Sequence, residues 1–259
     1  MREPHHVQSL ERGLAVIRAF DAEHPELTLS EVARICGLTR AAARRFLLTL
    51  ADLGYVRTDG RLFSLTPKVL DLGYAYLSSL SLPDVAAPHL ERLVAELHES
   101  SSLSVLDGDD IVYVARVPTS RIMAVAITVG TRFPAYATSM GRVLLAGSDE
   151  SDVDAYLARV RPAKLTNRTL ASAPALRAEI AKVRAQGYSI VDQELEEGLR
   201  AIAAPIHDRS GAVAGAVNVS VHAARATLDV MRRRFLPPLL ATTAAIDADL
   251  RRTSIIRFG

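Results

Sequence analysis

The chain has 259 residues, 49% hydrophobic and 23% charged, with a formal net charge of +2: enough to bury one large core or two, and too weakly basic to be drawn to nucleic acid or a membrane surface as a whole. Its single cysteine, Cys36, excludes an internal disulfide and fits a reducing compartment, and no apolar run reaches the ~20 residues of a membrane span. The first residues, with His5, His6 and Glu11, lack the basic-then-apolar order of an export signal, so a cytoplasmic, nucleoid-associated protein is expected.

Residues 9–20 place Leu10, Leu14, Ile17 and Phe20 at helical spacing, and the polar stretch 21–28, with Pro25, reads as a loop. A short helix follows over 29–37, with Ser30 as its predicted N-cap, Val32, Ala33 and Cys36 facing inward, and Gly37 as its stop. Thr39 then caps a helix running to Leu53, ended by Gly54. At 100° per residue Ala42, Ala43, Phe46, Leu50 and Leu53 form its apolar side, while Arg40 and Arg44 lie on the outer side and Arg45 on a flank. Alone, such a helix is either a solvated bundle helix or a reader of the DNA major groove. Its neighbours decide. Two helices joined by a tight Gly-containing turn form a helix-turn-helix. The alternating segments 55–58 and 61–65 around Asp59-Gly60 then predict a hairpin, so the whole is a winged helix-turn-helix with Arg61 on the wing. Residues 1–65 hold nine Arg against eight acids, so a DNA-binding face has to come from placement.

Residues 66–77 predict a further helix with Pro67 in its first turn, and 66–82 read as a linker. Beyond it, helices are expected over 84–99, 139–146, 151–160, 175–186 and 224–252, the last kinked at Pro237-Pro238. Strands are expected over 102–106, 111–116, 122–129, 188–192, 201–207 and 212–221, and residues 253–259 as a tail. Strands grouped in hairpins between helices predict an α+β domain: an antiparallel sheet with helices packed on it.

The chemistry-bearing stretches are few. Residues 137–141 (ATSMG) end like a nucleophile elbow but lack its first glycine, and no base is evident. The seven histidines show no metal-ligand spacing, and no phosphate loop occurs, so neither metal nor cofactor is expected. A helix starting at Ser139 turns the N–H groups of Ser139, Met140 and Gly141 toward an anion, with Arg121, Arg132 or Arg142 near enough in sequence to add charge. Residues 192–200 (DQELEEGLR) put four acids, a glycine and an arginine between two strands, which is either a solvated loop or part of a site.

Taken together these residues resemble the IclR family of bacterial transcriptional regulators. The resemblance rests on 7–14 (VQSLERGL), 38–40 (LTR) through 55–56 (YV), 65–67 (LTP), 141–146 (GRVLLA) and 192–200, in that order. Residues 116–119 (RVPT) and 129–141 (VGTRFPAYATSMG) point within it to the Pca/Pob group, which controls aromatic-acid catabolism. The resemblance implies a winged helix-turn-helix over 1–65, a linker helix over 66–82 and a GAF-like effector domain over 83–252. It also implies dimers, or dimers of dimers, on palindromic double-stranded operators, with RNA polymerase as a further partner. Arg40, Arg44 and Arg45 would reach bases or phosphates, with Ser30, Thr39 and Arg61 positioning the backbone. The effector, a small carboxylate such as β-ketoadipate or protocatechuate, would sit among Ser139, Met140, Gly141, Asp192, Ala201, Ala203, Asn218 and Ser220. One family pattern carries Cys where this chain has Ala201 and Ser where it has Asn218; both departures argue against a thiol ligand and against the effectors of acetate-metabolism regulators. A hydrolase and a ligand-free architectural DNA-binding protein are the competing functions.

Overall fold

The structure, a computed structural model, describes residues 6–72, 81–119 and 127–253, and its contacts divide the chain into two compact units between Ser79 and Leu80.

The first unit carries α1 (Gln8–Arg18), β1 (Leu27–Thr28), α2 (Leu29–Ile35), α3 (Arg40–Asp52), β2 (Val56–Thr58) and β3 (Leu62–Leu65). Its core joins Val16 and Phe20, Val32 and Ala33, Ala43, Leu47 and Leu50, and Val56 and Phe63. Leu10 and Leu14, at helical spacing with Ile17 and Phe20, are exposed, because α1 meets the core through Val16 and the residues after it. The cap of α2 differs from the expectation. Thr28 accepts from the Glu31 amide, and the Glu31 carboxylate accepts from the Thr28 amide at 2.8 Å, a reciprocal box that leaves Ser30 exposed in the first turn. The loop before it holds β1, whose Leu27 pairs with Phe63 and makes the wing a three-stranded sheet of order β1-β3-β2. Two residues are too few to show an alternation, so this strand exists by pairing alone.

Helix α3 is capped as expected, Thr39 Oγ1 accepting from the Ala42 amide at 3.2 Å. Its buried stripe is Ala43, Leu47 and Leu50; Leu53, at its C-terminal end, is 52% exposed and lies outside the core. Gly54 (φ 81°) and Gly60 (φ 96°) both adopt the left-handed backbone, the second inside the wing turn, where Asp59 Oδ1 accepts from the Arg61 and Leu62 amides. After the wing, Thr66 caps a 3₁₀ turn over Pro67–Val69 and the chain is helical over 70–72; residues 73–80 of the expected linker fall outside the described residues.

The second unit is built on six antiparallel strands in the order β6-β5-β4-β9-β8-β7. They are β4 (Ser100–Asp107), β5 (Asp110–Val117), β6 (Arg132–Pro134), β7 (Ser189–Asp192), β8 (Leu199–His207) and β9 (Val213–His222). Its helices are α4 (Ser81–Leu97), α5 (Ser139–Gly147), α6 (Glu150–Arg159), α7 (Ala173–Gln186) and α8 (Leu236–Thr253). Most of the strand expected over 122–129 lies outside the described residues. Its last three residues are in no strand, and the edge is taken by β6 after a turn at Gly130. Residues 254–259 of the expected tail are likewise not described, and Thr253 ends α8.

One face of the sheet meets α5, α6 and α7 in a core containing Tyr113, Met140, Leu144, Tyr156, Ile180, Ala203 and Ala216. The other face meets α4: a Cβ on Gly215 would lie 3.2 Å from Leu82, and Gly215 alternates with Ala216. The expected kink near Pro237-Pro238 is a π turn over Met231–Phe235 placed just before α8. Proline has no N–H and its ring collides with the carbonyl four residues back, so the helix widens ahead of the pair.

Candidate functional site

In the first unit Arg40, Arg44, Arg45 and Arg61 are all exposed, and none has an acidic partner among the described residues. Three of them project from one helix whose opposite stripe is anchored in the core, so their charge is held on a rigid support facing solvent. Thr39 sits at the start of that helix, its hydroxyl engaged in the cap, and Ser30 is exposed on α2. The unit therefore presents a small cationic surface despite its near-neutral sum, as a groove-reading helix requires.

In the second unit a cavity of about 370 Å3, mouth included, lies between the start of α5 and the sheet. The enclosed part of it is small, with about 20 Å3 of room for a water-sized sphere. Strand register lays its floor in rows. Val191, Ala201, Ser220 and Ser100 oppose one another across β7, β8, β9 and β4. The next row is Ser189, Ala203, Asn218, Ser102 and, on β5, Arg116. Asn218 is held on both sides, Oδ1 accepting from the Ser102 amide at 3.1 Å and Nδ2 donating to Ser220 Oγ at 3.0 Å. The roof is Thr138, Ser139 and Met140, with Tyr113, Ile127, Leu195 and Leu199 closing the sides. Burial pushes the Tyr113 phenol up to about 12, so it faces the cavity neutral.

The roof carries the polar opportunity. Thr138 caps α5, Oγ1 accepting from the Gly141 amide at 3.0 Å. The amides of Ser139 and Met140 have no acceptor among the described residues. Ser139 is 2% exposed, and its hydroxyl has no hydrogen-bond partner. A buried hydroxyl left unpaired costs ~1–3 kcal/mol, a debt that a ligand oxygen would cancel. Among the described residues no histidine accepts from the Ser139 hydroxyl.

Of the residues expected around an effector, the structure brings Ser139, Met140, Ala201, Asn218 and Ser220 to this cavity. Ala203 lies in the same sheet row as Asn218 but is fully buried in the core. Gly141 backs onto the chain before α5; a Cβ there would fall 2.2 Å from the Ala135 carbonyl oxygen, so its glycine serves close packing. Asp192 stands at the end of β7, bound to Arg168 and, at 2.5 Å, to Arg200. Burial pushes its carboxyl upward, but these partners carry it net below the ordinary value and it stays ionised. Asp192 is thus tied to arginines outside the cavity.

The arginines expected to supply charge are spent elsewhere. Arg142 is 1% exposed and grips Glu194 with both terminal nitrogens, at 2.8 and 2.5 Å, while its Nε donates to the Tyr136 carbonyl. Arg132 is exposed and pairs with Asp107 and Asp110, and Arg121 falls outside the described residues. Glu194 also accepts from the Leu170 amide, so the 193–198 loop, which brings Leu195 to the cavity, is pinned to α5 by a satisfied buried pair. Sequence reasoning missed Thr138, whose spacing to Gly141 marks a cap, and Val191, which alternates with Ile190 along β7. Among the described residues no group of three or more His, Cys, Asp or Glu could hold a metal ion, and no helix is long and apolar enough to cross a membrane.

Comparison with known proteins converges on one family. Residues 74–248 match the model described as bacterial transcriptional regulator IclR C-terminal, and residues 9–60 the IclR helix-turn-helix domain. The chain is 50% identical to the Pca regulon regulatory protein of Pseudomonas putida, over 93% of this chain and 83% of that one. It is 32% identical to the Pca operon regulatory protein of Acinetobacter baylyi, over 93% and 88%. Among solved structures, a transcriptional regulator from Rhodococcus sp. RHA1 shares 58% identity with a TM-score of 0.89, covering 96% of this chain and all of that one (100%).

Proposed function

The chain belongs to the IclR family of bacterial transcriptional regulators, and we propose that it switches genes of aromatic-acid catabolism in the β-ketoadipate branch on binding a small carboxylate. The family is one of DNA-binding regulators, not enzymes. The Pca names of two relatives support the pathway. The observation that carries the ligand class is the unpartnered Ser139 hydroxyl, buried at the α5 N-terminus beside two free amides. A helix start with spare donors is a carboxylate site by dipole and hydrogen bonding together.

On this reading α3, through Arg40, Arg44 and Arg45, reads a palindromic operator as a dimer or dimer of dimers, Arg61 steadies the wing, and residues 66–82 link the reader to the effector domain. Ligand alters transcription by binding the DNA-competent and DNA-incompetent states with different affinity. Calorimetric titration of the full chain with β-ketoadipate and with protocatechuate tests the reading. One of them is expected to bind saturably, and Ser139→Ala to weaken it by about tenfold, the worth of one hydrogen bond to a charged group. No heat from either compound overturns the pathway assignment, and an unchanged affinity in Ser139→Ala overturns the anchoring role.

A further inference from the structure

The C-terminal ends of α5 and α7 meet at an open cleft with about 300 Å3 of room for a water-sized sphere, against about 20 Å3 at the α5 start. Val143, Ala146, Val183, Pro205 and Val213 give it apolar walls, and it shares no lining residue with the cavity at the other end of α5. Its two side chains with polar ends are Arg184 and His207. Arg184 is engaged at all three nitrogens: Nε donates to the Ala146 carbonyl at 2.7 Å, Nη2 to the Ser148 carbonyl at 2.9 Å, and Nη1 to Glu150. His207 is engaged at only one.

His207 ends β8 and is held by the buried Asp247 of α8. Oδ1 of that carboxylate accepts from the His207 amide at 2.8 Å, and Oδ2 lies 2.9 Å from Nδ1. A carboxylate has no proton to give, so Nδ1 donates, and in the neutral ring Nε2 keeps its lone pair. Nε2 has no partner among the described residues. The ring is thus fixed in one tautomer and one orientation, with a spare acceptor in a cleft of apolar walls. The field there favours positive charge. The last turns of two helices border the cleft, each bringing the negative end of its dipole. Glu150 cancels Arg184, and no lysine or arginine pairs with Asp247 among the described residues. Arg209, on the adjoining turn, donates instead to the Arg251 carbonyl on α8.

We propose that this cleft is a second small-molecule site and that it takes an organic ammonium: an N–H of the cation donates to His207 Nε2, and its hydrocarbon part lies on Val143, Val183 and Val213. A cation is selected over a neutral donor because the two helix ends and Asp247 stabilise its charge, and an anion is disfavoured because it meets a lone pair in the same field. The site stands on its own geometry and does not depend on the carboxylate reading of the α5 start.

The test titrates the full chain by calorimetry at about pH 8, where an ordinary imidazole is neutral and an alkylamine is protonated. The probes are benzylammonium and n-butylammonium, each against the alcohol of the same skeleton. At least one ammonium is expected to bind, about tenfold or more tightly than its alcohol, the worth of one charge-assisted contact. His207→Leu is expected to remove that preference, and His207→Gln, whose side-chain oxygen can accept, to keep part of it. Asp247→Asn separates the chemistry from the packing. Its oxygen stays on the His207 amide, so its NH2 faces Nδ1 and drives the ring proton to Nε2, which abolishes the acceptor. It is expected to lose the ammonium preference as fully as His207→Leu. Thermal unfolding of each variant reports that the effector unit is folded, and if His207→Leu fails that check, Asp247→Asn and His207→Gln carry the test. Wild type that binds neither ammonium, or binds them no better than the alcohols, overturns the site. A preference retained in folded His207→Leu or in Asp247→Asn overturns it equally.

Discussion

The two units use arginine in opposite ways. On α3 and the wing, Arg40, Arg44, Arg45 and Arg61 stand in water and form no ion pair among the described residues, so each side chain is already solvated and its charge remains for a partner. Around the sheet, Arg142 and Arg200 are drawn inward and matched with Glu194 and Asp192, and the exposed Arg225 reaches the buried Glu99, so their charge is consumed in holding loops to helices and strands. Burial drives the Glu99 carboxyl upward even against Arg225, which shows how much desolvation these pairs absorb. A cation's function is therefore decided less by its identity than by whether the fold supplies its counter-ion.

The largest effect should come from breaking a matched pair. Arg142→Ala leaves Glu194 buried without its counter-charge and is expected to destabilise the effector unit by about 3–5 kcal/mol in denaturant unfolding. Pairing it with Glu194→Leu should recover much of that loss, since a neutral pocket carries no stranded charge; failure to recover would mean that the guanidinium is needed as a spacer and not as a charge.

Removing an unmatched arginine should do the reverse. Arg44→Ala is expected to leave unfolding unchanged and to weaken operator binding by about 1–3 kcal/mol if it reads a base. If it touches phosphate instead, the loss should be similar on all sequences and the salt slope should fall by about one. An unfolding midpoint that dropped with Arg44 would dissolve the contrast between the units.

The smallest test concerns α2, the helix just before α3. Thr28→Ala is expected to cost about 1 kcal/mol through loss of the reciprocal cap, whereas Ser30→Ala should be close to neutral in thermal unfolding. The two substitutions lie two residues apart in an exposed first turn, so their difference isolates the cap from helix propensity.

Much of this molecule was legible in the sequence where the signal was local. Thr39 and Gly54 bracket α3 because a cap needs only the next three residues and a stop only a left-handed backbone. Asp59-Gly60 makes its turn through the Asp59 carboxylate and its own neighbours, and Gly187 (φ 77°) closes α7 in the same way. The face of α3 was read less well: spacing put Leu53 inside, where the helix has already passed beyond the core, and passed over Leu47, which is fully buried. Strands β1 and β6 carry two and three residues and no alternation, so only their pairing with β3 and β5 reveals them.

The candidate site divides along the same line. That a helix begins near Ser139 and that it exposes donors follows from residues 138–141 alone. That Ser139 is left unpaired, that Arg142 is removed from the cavity by Glu194 fifty-two positions away, and that Asp192 is held by Arg168 and Arg200 could not be read from any window of the chain. The sequence by itself determined the family, the two-unit order and the helix that carries the exposed arginines, because periodicity, caps and turns act over a few bonds. The tertiary structure alone decided which charges are spent and which remain, because an ion pair is a contact in space and its energy depends on the water that the rest of the fold has excluded.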